Sequence, residues 1–396
     1  MKSEKYVIQG FKASAVASGL KKNSSLDLAL ILSEKEATAA GVFTTNKVKA
    51  APVILSREHI KSGKARAIIA NAGYANACTG ETGLINARQT ADFVAKELAI
   101  QPYEVLIAST GVIGQLPDID LISGAIPDLA GSLSLDNIPS VARAIMTTDS
   151  FPKISRFDGQ AGRQAYEILG IAKGAGMIMP NMATMLCFVL SDIRIDANDL
   201  KESLISSVET TFNRITVDGD TSTNDAVMVM ANGTAGNKSL SEKEHINFTA
   251  GLKSVMGDLA GMIVRDGEGA TKMVRIEILD AHSSSDAIIA ARTVANSSLV
   301  KTAFYGQDPN WGRIMAALGR AEVMMEEKYV DIWIDDVQIV SGGLAKGIEA
   351  ERQATEKMAQ REFGLTINLH QGAYKDQIIT CDLTHDYVTI NADYRT

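Results

Sequence analysis

Short apolar runs alternate along the chain with polar or glycine-bearing punctuation, and the period of each run assigns an element. The runs LDLALI (26–31) and RAIIA (66–70) are bounded by turns and read as buried strands. Ile85, Ala87, Ala91, Phe93, Val94 and Leu98 recur at helical spacing and predict a helix over 81–98, capped by a threonine of TGETG. VLIAS (105–109) predicts a strand ending in a turn at Thr110-Gly111, where backbone N–H groups are left free to face an anion or oxyanion. Residues 118–145 read as one or two helices broken near Pro139.

Further along, YEILGIAKGAG predicts a strand. The run TMLCFVLSDIRI after Ala183 is almost continuously apolar up to Asp192, the pattern of a strand buried on both faces. Helices are predicted over 197–212 behind Asp196, over 242–264, over 285–296, and from DPNWGRI with Asp308 as cap and Pro309 in the first position. Strands are predicted over 225–233, 273–281 and LVKTAFYG (299–306). The C-terminal quarter reads as a hairpin, YVDIWIDDVQIV, turning near Asp335-Asp336, and a second pair made by LTINLHQG and QIITCDL. No repeat of fixed period is present. Strands follow one another without the regular βαβ beat, which favours an α+β layered sandwich over a doubly wound parallel sheet.

The 396 residues suffice for two lobes or one large sandwich with an appended lobe. A net charge of -8 without a run of Lys or Arg argues against a nucleic-acid surface and for a small-molecule or protein partner. Cys78, Cys187 and Cys381 are far apart and lack C-x-x-C spacing, so they read as buried, reduced thiols of a cytoplasmic protein, with neither a disulfide framework nor a zinc site. The N-terminus carries Glu4 and no uninterrupted apolar core, so no secretory signal is expected. The most apolar run, Met177–Leu190, falls short of the roughly 20 residues that span a bilayer, and Asn181 and Thr184 interrupt it.

Thr184 is the residue around which the chemistry turns. A β-branched residue opening an apolar strand is ordinarily packing, but Gly174 and Gly176 loosen the approach, Pro180 restrains it, and Ala183 presents an unhindered carbonyl. Attack of the Thr184 hydroxyl on that carbonyl, followed by hydrolysis of the ester, would make Thr184 an N-terminal residue. Its α-amine, titrating near 7.7–8.0, would then be the base for its own hydroxyl. His59, His245, His282, His370 and His385 lie in polar or loop-like contexts and form no evident Ser/His/Asp set. Packing and nucleophile both remain open on the residues alone.

KGAGMIMPNMATML resembles the self-cleavage motif of the ornithine acetyltransferases, the glutamate N-acetyltransferases of arginine biosynthesis. The blocks DLALILSE, NAGYANACTG, STGVIG, MTTDSFPK, DGEGATK, DPNWGRI and NADYRT extend the resemblance along the whole chain. It implies an αββα sandwich shared with self-processing aminopeptidases, with a smaller C-terminal α/β lobe. It implies cleavage between Ala183 and Thr184 into an α segment (1–183) and a β segment (184–396), intertwined in one sandwich and assembling as a dimer of αβ pairs.

The activity implied is transfer of acetyl from N-acetylornithine to glutamate through an acetyl-Thr184 ester, with acetyl-CoA as a further donor in the bifunctional type and no cofactor or metal. Thr110 and the Gly111 N–H match the family's oxyanion hole; Lys173, Thr147 (or its neighbour Thr148), Glu268, Asn391 and Thr396 match its substrate contacts. The C-terminal tail is then expected to be ordered over the pocket. Asn224-Asp225 and Trp311 also fall in matched blocks and read as a turn and as packing. Tyr74, Ser150 and Ala226 depart from the residues usual in the family, at positions that bear on acceptor preference. A hydrolase on the same sandwich, in which water resolves the ester, and an unprocessed ligand-binding relative are the alternatives.

Overall fold

The computed structural model describes residues 6–179 and 185–393. They fall into two compact units, the first made of the described residues up to Asn213 with Asp220–Ile263, the second of Arg214–Gly219 with the described residues from Val264 on.

The first unit is organised by one long strand. After β1 (Phe11–Val16), β2 runs from Leu28 to Phe43, well beyond the predicted LDLALI. The sequence pattern missed the extension because Glu34, Lys35 and Glu36 interrupt the apolar run where the strand is exposed. Leu28–Leu32 pairs with β3 (Lys64–Tyr74), the register shifts between Leu32 and Ala37, and Thr38–Phe43 pairs antiparallel with β9 (Ala226–Ala231). With β4 (Val105–Val112), β5 (Lys153–Ala161), β6 (Gln164–Lys173) and β7 (Leu186–Ser191), the sheet order is β4-β3-β2-β9-β7-β6-β5, β1 pairing with β2 off that path. The irregularity in β2 lets the sheet fold on itself: Ile31, Ile68 and Leu106 from one half share a buried core with Leu169, Phe188 and Met228 from the other.

Because neighbouring strand residues face opposite ways, Leu30, Ile69 and Ile107 point to the outer side of the first half. There they pack with Ala87, Ala91 and Val94 of α2 (Gly80–Leu98), which follows α1 (Ala51–His59), and with Ile122 and Ile126 of α3 (Ile119–Gly131). A short α4 (Ile138–Ala144) carries Pro139 in its first turn, so the helical stretch breaks before Pro139. On the outer side of the second half, beyond α5 (Ala197–Thr210), α6 (Glu242–Arg265) covers β6: a Cβ on Gly170 would meet Val255 and Leu259 side chains at 2.5 and 2.7 Å, and the Tyr166 and Phe248 rings lie 6.0 Å apart. The layering is helix, sheet, sheet, helix: an α+β sandwich of αββα type. Strands from both sides of Ala183-Thr184 interleave in it, since β7 and β9 lie between β2 and β6.

The second unit holds a separate sheet, of seven strands among the described residues. Its strands are β8 (Ile215–Thr216), which precedes β9 in the chain, β10 (Met273–Ala281), β11 (Asp331–Ile334), β12 (Val337–Ser341), β13 (Leu344–Ala345), β14 (Glu362–Asn368) and β15 (Tyr374–Cys381), in the order β13-β12-β11-β14-β10-β15-β8. The predicted hairpin is β11-β12. β14 and β15 do not pair with each other as expected: β10 inserts between them, parallel to the first and antiparallel to the second. A non-local strand cannot be seen in a local pattern. Helices α7 (Ser284–Ala295), α8 (Ser298–Tyr305), α9 (Trp311–Gly319), α10 (Ile348–Met358) and α11 (His385–Asp393) complete the unit.

LVKTAFYG is therefore helical, not a strand. Val300, Ala303 and Phe304 share the buried face at spacing i, i+3, i+4, while Leu299 is exposed, and Ser297 caps the helix. The helix of DPNWGRI starts later than expected, with Asn310 rather than Asp308 as its cap, and Trp311 packs against the core of this unit. Thr79 stands at the N-cap of α2, but its hydroxyl donates to Asn76 at 2.7 Å instead of capping. All three cysteines are free; Cys187 and Cys381 are buried, whereas Cys78 is exposed, contrary to expectation, in a segment between β3 and α2 where its φ is +56°. Among the described residues no helix is long and apolar enough to cross a membrane.

Candidate active site

Lys173 ends β6, opposite Leu186 of β7, at the mouth of the apolar run that forms the sheet centre. Its ammonium is 8% exposed as a residue, donates to Thr147 Oγ1 at 2.8 Å and lies 3.4 Å from Thr110 Oγ1. Residues 63 and 26 positions away in the chain thus converge on one cation. Thr147, rather than Thr148, is the member of the MTTD block that holds it.

Below this trio sits Asp149, its side chain fully buried. It accepts from Lys153 Nζ at 2.7 Å, Gly174 N at 2.6 Å and Thr147 N at 3.0 Å, and Lys173 Nζ is 3.9 Å away. Burial alone would raise its pKa, but Lys173, Lys153 and the donated hydrogen bonds overcome that and hold it at about 2. Lys21 braces the same loop by donating to Ala144 O and Met146 O at 3.2 and 2.8 Å; burial lowers its pKa against the pull of Asp27. Lys153 makes the shorter ion pair with Asp149, and Lys173 stands 3.9 Å from the same carboxylate.

Thr110 and Gly111 do not terminate their strand as expected. β4 continues through them in parallel register with β3, Thr110 beside Ala72 and Gly111 beside Gly73. The local break comes from backbone sign instead: φ is +128° at Gly111 and +116° at Gly73, and a Cβ on Gly111 would lie 2.3 Å from the Gly73 carbonyl carbon. Ser109 Oγ donates to Asn71 Oδ1 at 2.5 Å, and Asn224 Nδ2 donates to Ser109 O at 2.8 Å and Ala75 O at 2.6 Å.

Asn224-Asp225 is accordingly more than a turn. Both are buried ahead of β9, and Ala226 N donates to Met185 O at 2.9 Å. Asp225 is 1% exposed, its Oδ2 has no hydrogen-bond partner among the described residues, and burial pushes its pKa well above the usual carboxylate range despite a Ser222 hydrogen bond and the Lys173 charge. The signal available in the sequence was two polar residues opening the wholly apolar strand AVMVMA.

In the second unit Glu268, 9% exposed, accepts from Asn391 Nδ2 at 2.7 Å. Thr384 Oγ1 donates to Gly269 O at 2.8 Å, so the DGEGATK loop and the start of α11 are tied together. The C-terminal segment is thus a helix up to Asp393, and Asn391 meets Glu268 on it. Ala183, Thr184 and Thr396 lie outside the described residues.

The histidines serve other purposes: His59 Nδ1 contacts Val105 O at 2.8 Å, His245 Nε2 contacts Ser203 Oγ at 2.8 Å, and exposed His370 meets Asp331 at 2.9 Å. Among the described residues no group of three or more His, Cys, Asp or Glu side chains is placed to hold a metal ion.

The model of the ArgJ family matches residues 12–396. The arginine biosynthesis bifunctional protein ArgJ of Geobacter sulfurreducens is 50% identical over 391 residues, 98% of this chain and 100% of that one. The protein of the same name from Desulfotalea psychrophila is 49% identical over 391 residues, again 98% and 100% of the two chains. Among solved structures, the arginine biosynthesis bifunctional protein argJ of Bacillus halodurans is 41% identical with a TM-score of 0.50, covering 52% of this chain and 98% of that one.

Proposed function

This chain belongs to the ArgJ family, and from that membership we propose that it is an arginine-biosynthesis enzyme that moves acetyl from N-acetyl-L-ornithine to L-glutamate. It is a glutamate N-acetyltransferase, and the bifunctional names of its relatives support a second activity in which acetyl-CoA donates the acetyl group. The observation that carries the reading is the convergence of Thr110, Thr147 and Lys173 at the end of β6, where Lys173 stands opposite Leu186.

The chain first cuts itself. Thr184 Oγ adds to the Ala183 carbonyl, the peptide C–N bond breaks as the acyl group moves to oxygen and frees the Thr184 amine, and water then hydrolyses the ester, releasing the Ala183 carboxylate and restoring the Thr184 hydroxyl. Segments 1–183 and 184–396 stay together because their strands share one sheet. The Bacillus halodurans chain supports this, since it is matched over 98% of itself but only 52% of this chain, the proportion a precursor cut near its middle would yield.

In turnover the Thr184 amine takes the hydroxyl proton as Oγ attacks the acetyl carbonyl. The C–N bond to ornithine breaks and the proton leaves on ornithine's amine. Glutamate's amine then attacks the ester, the C–O bond breaks, and Thr184 Oγ regains a proton, which makes the exchange ping-pong. Both steps develop an oxyanion, for which the Thr110 hydroxyl and Gly111 N–H are the assigned donors. Lys173 pairs with the α-carboxylate that both substrates possess, and Thr147 orients it. Glu268, with Asn391, balances the ornithine amine, and Thr396 completes the contacts. The chemistry as written needs no cofactor or metal. A cytoplasmic dimer of αβ pairs is the assembly proposed.

Incubation with N-acetylornithine labelled in the acetyl group tests this. The labelled ester should appear on a peptide beginning at Thr184, and adding glutamate should discharge it as acetylglutamate. Ornithine release with free acetate and no acetylglutamate would mean that water resolves the ester, and the hydrolase reading would replace this one.

A further inference from the structure

We propose that Asp149 is a positioning residue for substrate binding, a buried carboxylate that sets the places of Lys173 and Thr147 without itself touching substrate. The inference rests on the acetyltransferase reading of the same site.

The geometry singles out this side chain. One carboxylate takes the Thr147 N–H at 3.0 Å and the Gly174 N–H at 2.6 Å, so it joins the loop after α4 to the residue following Lys173. Gly174 has φ +152° and a Cβ there would meet Ile178 at 2.9 Å; the backbone leaving Lys173 is therefore turned in one defined way, and Asp149 receives its N–H. The Thr147 hydroxyl and the Lys173 ammonium are fixed from their own backbones by the same two oxygens, and they meet at 2.8 Å.

Charge accounts for the rest. A buried carboxylate facing two lysines binds the nearer more tightly, and Lys153 at 2.7 Å takes that role while Lys173 stands at 3.9 Å. Asp149 thus has its short ion pair with Lys153 and accepts from the Thr147 and Gly174 N–H groups, while Lys173 stays at the longer distance and keeps its short hydrogen bond to Thr147 Oγ1. An ammonium oriented in this way is placed to meet the α-carboxylate of an amino-acid substrate.

Asp149→Asn alone leaves Lys153 buried without its counter-charge, so the decisive variant is Asp149→Asn with Lys153→Met, which removes both members of the pair at little change in volume. Expected in steady-state assays with N-acetylornithine and glutamate is a folded, processed enzyme whose KM for the donor rises at least about tenfold while kcat stays within about threefold. Lys153→Met alone, which retains the carboxylate, should keep KM within about threefold of the parent.

A parental KM in the double variant would overturn the proposal, because Asp149 would then serve only to neutralise Lys153. An equal rise in Lys153→Met alone, or a loss confined to kcat, would overturn it too. If the parent protein transfers no acetyl group, the functional reading itself fails and takes this inference with it, an outcome distinct from either variant result.

Discussion

The side-chain amide of Asn224 donates to the carbonyl of Ser109 at 2.8 Å, across 115 residues of chain. The peptide it holds is the one that carries the Thr110 N–H, immediately before Gly111, and the same amide donates to Ala75 O, just past the end of β3, at 2.6 Å. An oxyanion donor is useful only when it is aimed before the charge develops. Asn224→Leu, which keeps the volume and loses both hydrogen bonds, should lower kcat by about 10–10² with little change in KM. Steady-state kinetics on the processed protein checks this, and a pure KM effect would place Asn224 in binding instead.

Gly111 admits no side chain. A methyl group would lie 2.3 Å from the Gly73 carbonyl carbon, which is backbone and cannot swing away, and φ at Gly111 is +128°. Gly111→Ala should destabilise by about 2–4 kcal/mol or abolish soluble expression, from strain and overpacking together. Urea unfolding measures it; Gly114→Ala, where nothing lies within 4 Å of the added carbon although φ is +82°, is the control and should cost less.

The layered sandwich was legible because β3, β6, β7, β9 and β10 are continuous apolar or alternating runs whose burial is decided locally. What escaped depends on contacts far apart in sequence. β2 outruns its apolar stretch because β9 supplies its second partner, and β10 separates two strands that look like a hairpin. Lys173 and Thr147 could be named only from family resemblance, since each is an ordinary polar residue at an element end, whereas Thr110-Gly111 was marked by the glycine that follows an apolar strand. Asn224 read as a turn and Asp149 drew no reading, because a buried clamp and a solvated turn have the same letters.

Processing depends on the Thr184 hydroxyl in the proposed mechanism. Thr184→Ala should remain a single species near 42.3 kDa and be inactive, whereas Thr184→Ser should retain partial cleavage because an attacking oxygen remains. Intact-mass spectrometry of freshly purified protein distinguishes them. An Ala variant still split after residue 183 would assign the cut to an external protease.

Tyr166 is packed for its ring, not its hydroxyl. It is 1% exposed, its oxygen has no hydrogen-bond partner among the described residues, and burial pushes its pKa to about 12. Removing an unsatisfied buried hydroxyl while keeping the ring relieves a desolvation penalty. Tyr166→Phe should leave kcat and KM unchanged and raise Tm by about 1–3 °C. A fall in Tm would show that the hydroxyl is satisfied in solution.

Two buried carboxyls beside Lys173 should give stability opposite slopes with pH. Asp149 is held at about 2, below the ordinary 3.8, so between these values the unfolded chain binds the extra proton. Its contribution is full above about pH 4 and is lost as pH falls toward 2. Asp225 is displaced upward by burial, so the folded state keeps a proton that the unfolded chain releases above 3.8. Its contribution is present below that value and declines as pH rises. Asp225→Asn, neutral at every pH, should therefore gain stability relative to the parent on going from pH 4 to pH 8, read as the difference in urea midpoints. A difference that does not change over that range would mean that Asp225 ionises normally, with the Lys173 charge outweighing its desolvation.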